Sequence, residues 1–103
     1  MKIKVLTIFP EMLKAALSES IVGRALEAGR FEVELIDIRA YSENKHKNTD
    51  DYPFGGGAGM VMMAQPIFDC VEQVLSGESA HRILLTPRGK TLTSARAREL
   101  AQL

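Results

Sequence analysis

Ile3, Val5, Leu6, Ile8 and Phe9 form an almost continuous apolar run at the start of the chain. Such a β-branched run predicts a strand over 3–8, buried on both faces like a central strand of a parallel sheet. Pro10 suits the first turn of a helix and Glu11 complements its dipole. Met12, Leu13, Ala16 and Leu17 follow at helical spacing, and a second stripe, Val22, Ala25 and Leu26, resumes after Ser18 and Ser20. The pattern predicts helix over 11–28, broken near Ser20 and closed by a left-handed Gly29. Phe31, Val33, Leu35, Ile36 and Ile38 predict a second strand over 32–38. Strand, helix and strand in about 36 residues is the length of one βαβ unit.

From Ala40 to Gly59 the aliphatic period vanishes and Asn, Asp, Lys, Ser and Gly dominate. A loop of about 20 residues is uncommon in a compact domain and is usually functional or mobile. Because 42–54 offers the core only polar side chains and Tyr52, mobility is expected there without RNA or a partner. Met60 to Met63 reads as a short strand or an apolar plug. Pro66 opens a helix over 66–76, in which Ile67, Cys70, Val71, Val74 and Leu75 line one face. Ile83, Leu84 and Leu85 predict a third strand over 82–86. Thr93 or Ser94 caps a last helix over 94–102 bearing Ala97 and Leu100. The fold class expected is α/β, a small parallel sheet with flanking helices.

Length changes this picture little: 103 residues make one domain. A compact chain of this mass would expose about 5,800 Å². Composition, 46% apolar and 25% charged, excludes disordered, collagenous and disulfide-rich classes. Charge is balanced as a whole but not locally. Residues 1–30 carry five bases and three acids, 31–80 three bases and nine acids, and 81–103 five bases and one acid. With one cysteine, Cys70, neither an internal disulfide nor a thiolate metal site is possible. No apolar run is long enough to span a bilayer and no leader precedes the domain, so a reducing cytoplasm is expected.

Candidate chemistry sits in three places. Phe54 to Met60 reads FGGGAGM, whose glycines let a backbone approach a ligand closely; neither a phosphate-loop lysine nor a dinucleotide fingerprint accompanies them. A flexible hinge explains the same glycines. His46, Asp50 and Asp51 share the preceding loop, where solvated charge is favoured over a metal site for want of further ligands. Cys70, on an apolar helix face, reads as an inert buried thiol. Arg82, Arg88, Lys90, Arg96 and Arg98 read equally as a phosphate-contacting run and as a solvated helix face. Thr86, Pro87 and Arg88 lie where open α/β sheets bind ligands, just past a strand's carboxyl end.

Taken in order, IFPEM (Ile8 to Met12), GRA (Gly23 to Ala25), DIR (Asp37 to Arg39), KHKNTDDYPFGGGAGMVM (Lys45 to Met62), QP (Gln65, Pro66) and LLTPRGK (Leu84 to Lys90) resemble the bacterial tRNA (guanine-N1)-methyltransferases of the knotted SPOUT superfamily. The likeness covers nearly the whole chain, with Ala58 standing where a proline is usual. It implies transfer of a methyl group from S-adenosylmethionine to the guanosine 3′ of the tRNA anticodon, by a homodimer; no structural metal is expected. By the same resemblance Leu84, Leu85, Thr86 and Pro87 line the cofactor pocket. Asp50 and Gly59 stand near the target guanine, and Arg24, Lys45 and His46 contact tRNA. A carboxylate accepts hydrogen bonds from a guanine edge and cations hold phosphates.

The resemblance further implies that these residues are the amino-terminal part of the methyltransferase domain, with the knot, the remaining cofactor loops and the catalytic base lying beyond them. The 103 residues alone are therefore expected to be inactive and, with strands left at an edge, to dimerise or aggregate. The alternative is an RNA-binding or protein-interaction module without catalysis.

Overall fold

A computed structural model describes residues 1–51 and 61–103. Strand β1 (Lys2–Thr7) pairs in parallel with β2 (Glu32–Asp37), in a register running from Lys2 opposite Glu32 to Thr7 opposite Asp37. Between them lie two helices, α1 (Pro10–Leu17) and α2 (Ser20–Glu27), so the βαβ unit forms as the periodicity predicts. The break falls just before α2, whose first residue, Ser20, has a φ of 58°, outside the right-handed helical region, so α1 cannot run on into it. The Ser18 hydroxyl donates to the Ala15 carbonyl at 2.8 Å and blunts the end of α1. Gly29, at φ 70°, closes α2 with two bonds, Gly29 N–H to the Leu26 carbonyl and Arg30 N–H to that of Ala25. That pair is the Schellman arrangement expected of a glycine just past a helix end.

A 3₁₀ turn (Ile38–Tyr41) follows β2, and β3 (Asp50–Asp51) pairs antiparallel with β4 (Val61–Met62), so the short-strand reading of the methionine segment holds. Helix α3 (Ala64–Leu75) buries Pro66 and Cys70 and half-buries Ile67, Val71, Val74 and Leu75, the face its sequence marked. It packs on the 3₁₀ turn, where Ile38 completes the small core. The Lys4 ammonium ties β1 to this helix by donating to the Val74 carbonyl at 3.1 Å. Helix α4 (Ser94–Leu100) begins under a Thr93 cap, the hydroxyl accepting from Arg96 N–H at 3.1 Å.

Two expectations fail. The third strand over 82–86 does not form: Ile83, Leu84 and Leu85 are 60%, 85% and 91% exposed, and among the described residues the parallel sheet contains β1 and β2 alone. A strand is stable only where a neighbour takes its N–H and C=O groups, and none of the described residues offers a ladder there. For the same reason β1 is an edge strand rather than a central one, with Ile3 39% exposed. On α4, Ala97 is exposed and Leu100 half-buried. The chain consequently exposes 8676 Å², far above the compact expectation.

Two outcomes follow from the packing. An added Cβ at Gly23 would stand 2.5 Å from the Ser18 carbonyl oxygen, a backbone atom that cannot swing aside. Alanine normally gains about 1 kcal/mol over glycine inside a helix. Gly23→Ala should instead lose about 1–3 kcal/mol, because overpacking outweighs propensity; urea unfolding measures the sign. Burial, and then the Asp37 carboxylate, pushes the Cys70 thiol up. The native state therefore holds that proton longer than the unfolded chain, so stability is full below about pH 8.5 and declines as pH rises through the thiol's range. Denaturation between about pH 8 and 10 should show the decline, and Cys70→Ala, though less stable, should lack that component.

Candidate RNA-facing site

The parallel register brings the carboxyl ends of β1 and β2 to one edge, and a polar loop is built from there. Asp37 turns the chain as β2 ends: its carboxylate accepts the Arg39 N–H at 2.9 Å and opens the 3₁₀ turn. The Ser42 N–H then returns to the Arg39 carbonyl at 3.1 Å. Ser42 is 2% exposed, and its hydroxyl serves both ends of the next turn. It donates to the Asn48 carbonyl at 2.6 Å and accepts Asn44 N–H at 3.3 Å. Asn44 in turn accepts His46 N–H on its side chain at 2.9 Å and Lys47 N–H on its carbonyl at 3.0 Å. Lys47, at φ 55°, folds its ammonium back to the Ser42 carbonyl at 3.0 Å.

Gln65 fastens this loop to α3. Its amide donates to the Tyr41 carbonyl and to the Asp69 carboxylate, both at 2.6 Å, while its oxygen accepts Glu43 N–H at 3.3 Å. Thr49, 3% exposed, receives Met63 N–H on its carbonyl at 2.6 Å, which aligns β3 with β4. The side chains offered to the interior are polar, as expected, but they are hydrogen-bonded, and a satisfied polar group carries little penalty for burial. Residues 42–50 thus have a defined path where sequence showed only absence of pattern.

The loop encloses a shallow cavity of about 250 Å³ lined by Arg39, Lys47, Asn48, Thr49 and Asp50. Its wall carries two cationic residues, Arg39 and Lys47, beside the carboxylate residue Asp50, a polar setting suited to an anion or a nucleobase edge. Of the residues singled out from sequence, Asp50 lines this cavity, and Lys45 and His46 stand exposed on the same loop. Arg24 is exposed on α2, a separate element, and Gly59, with the rest of the glycine segment, lies outside the described residues. Arg39 and Lys47 were not singled out. Arg39 closes the DIR motif just past a strand's carboxyl end, the positional signal that would have marked it.

Leu84, Leu85, Thr86 and Pro87 form an exposed segment that turns at Thr86, whose hydroxyl accepts Arg88 N–H at 3.3 Å and whose carbonyl accepts Gly89 N–H at 3.2 Å. Leu84 and Leu85 stand 85% and 91% exposed, an open apolar surface beside that turn. Among the described residues no group of three or more His, Cys, Asp and Glu converges as metal ligands, and no helix is long and apolar enough to cross a membrane.

Removing the Ser42 hydroxyl tests this architecture. Ser42→Ala leaves the Asn48 carbonyl and Asn44 N–H without their partner and should cost about 1–3 kcal/mol. Hydrogen exchange at Asn44, His46 and Lys47 should accelerate well beyond that at α3.

The chain matches the family described as tRNA (Guanine-1)-methyltransferase TrmD over residues 1–103. It is 54% identical, over 99% of its length, to a tRNA (guanine-N(1)-)-methyltransferase of Moorella thermoacetica and 52% identical to that of Geobacillus kaustophilus. It spans about 42% of the length of these curated relatives. A crystal structure of tRNA (m1G37) methyltransferase from Aquifex aeolicus superposes with a TM-score of 0.86 at 31% identity, covering the whole chain and 47% of that protein.

Proposed function

Because the chain belongs to the tRNA (guanine-1)-methyltransferase family, we propose that residues 1–103 supply the RNA-facing loop and one cofactor wall of an enzyme methylating N1 of the guanosine 3′ of the anticodon. The observation that carries this reading is the cavity between Arg39, Lys47 and Asp50, which unites cations with a carboxylate on a loop braced by Ser42 and Gln65. Arg39 and Lys47, with Lys45 and His46 beside them, hold the RNA backbone; Asp50 accepts hydrogen bonds from a guanine edge. Arg24, on α2, adds a further phosphate contact. The bracing keeps these groups in place before RNA arrives, which reduces the ordering entropy of binding.

S-adenosylmethionine, when bound, supplies an electrophilic methyl group on a sulfonium. Leu84 and Leu85 cover apolar parts of it, and the backbone around Thr86 and Pro87 hydrogen-bonds its adenosine. These residues would supply only part of the cofactor's contacts, so in this reading residues 1–103 alone have no turnover. None of the residues assigned here accepts the N1 proton. Cytoplasmic location and a homodimer complete the proposal; the open edges of a two-stranded sheet support association.

The intact protein, given labelled S-adenosylmethionine and a tRNA transcript with guanosine 3′ of the anticodon, should form 1-methylguanosine, and a transcript with adenosine there should not be labelled. Methyl transfer to neither overturns the reading. Lys45→Ala and Lys47→Ala should each weaken tRNA binding and lower the slope of log affinity against log salt by about one. A binding module without catalysis would keep that salt dependence and lack affinity for the methyl donor.

A further inference from the structure

Phe9 is 52% exposed, so the core does not account for it. Its ring lies 5.6 Å from the guanidinium carbon of Arg39, within the range of an attractive cation–π contact. Two matching turns create that meeting. At the end of β1 the Thr7 hydroxyl accepts Phe9 N–H at 3.0 Å, and at the end of β2 the Asp37 carboxylate accepts Arg39 N–H at 2.9 Å. Thr7 and Asp37 are opposite one another in the parallel register, so the residues two further on, Phe9 and Arg39, leave the sheet side by side. Pro10 then commits the chain to α1, and Phe9, at φ −130° and ψ 61°, caps that helix without a side-chain hydrogen bond.

We infer that Phe9 is a positioning residue: its ring face holds the Arg39 guanidinium at the mouth of the cavity, oriented for the RNA. The inference rests on the reading of that cavity as RNA-facing. A long arginine at an exposed loop start loses rotamer freedom when it binds an anion. An aromatic face that has already limited those rotamers lowers that loss, and an arginine held against a ring keeps N–H donors for another partner.

The chemistry separates this role from simple packing, since tyrosine and tryptophan keep a negative ring face whereas leucine keeps bulk alone. Affinity for tRNA would be measured in the intact protein for wild type, Phe9→Leu, Phe9→Tyr, Phe9→Trp, Arg39→Ala and the Phe9→Leu/Arg39→Ala pair, with circular dichroism confirming the fold of each. Arg39→Ala should weaken binding about tenfold. Phe9→Leu should weaken it about threefold. Tyrosine and tryptophan should restore wild-type affinity, and the double variant should bind no worse than Arg39→Ala, the signature of two residues acting through one group. Equal losses for leucine, tyrosine and tryptophan, multiplying losses in the double variant, or an Arg39→Ala protein that binds normally would each overturn the inference while leaving methyl transfer intact. Wild type that binds tRNA without methylating it overturns the proposed function alone; wild type that does not bind tRNA overturns both.

Discussion

The parallel pairing of β1 with β2 is the constraint on which the other features depend. Because the two strands run together, with Thr7 opposite Asp37, both chains emerge at one edge. An antiparallel pair would have sent them to opposite ends. Parallel strands also need a crossover, and α1 and α2 supply it, with the Ser20 break and the Gly29 cap making the connection fit. From that shared edge one chain enters α1 through Phe9 and Pro10, and the other enters the polar loop through Arg39.

The polar loop shows how a segment with hardly any apolar residues acquires a path. Its hydrogen bonds are individually modest, about 1 kcal/mol each in net terms. Their arrangement matters more, because Ser42 and Gln65 each serve several backbone groups and are themselves at least half-buried. Removing such a node strands several partners at once. The cost of the left-handed Lys47 is offset in the same way, since that conformation returns its ammonium to the Ser42 carbonyl.

The remainder of the chain has a different balance. From Glu78 to Glu99 every residue is exposed, including a leucine pair that would contribute about 1.5–3 kcal/mol per side chain if covered. That segment keeps local order, a turn at Thr86 and a capped α4, through hydrogen bonds that need no distant partner. Local order there does not depend on burial; the chain spans about 42% of the length of the curated relatives it matches.

What sequence by itself determined is what depends on near neighbours along the chain. The two strands of the βαβ unit, the break at Ser20, the Gly29 cap, the buried face of α3 around Cys70 and the Thr93 cap all follow from periodicity and from bonds closing within a few residues. The motifs around Asp37, Lys45, Asp50 and Leu84 were likewise legible, and they pointed to the right family. Tertiary structure alone decided the rest. Ile83 to Leu85 has the composition of a strand, yet strand formation requires a partner's N–H and C=O groups, which no local pattern guarantees. Arg39 and Lys47 joined Asp50 in one cavity only because Ser42 and Gln65 folded the loop between them, and Phe9 met Arg39 only through the register of two strands 30 residues apart. Contacts of that kind are set by which backbones pair and what they must hydrogen-bond, and a one-dimensional pattern of apolar and polar positions does not carry that information.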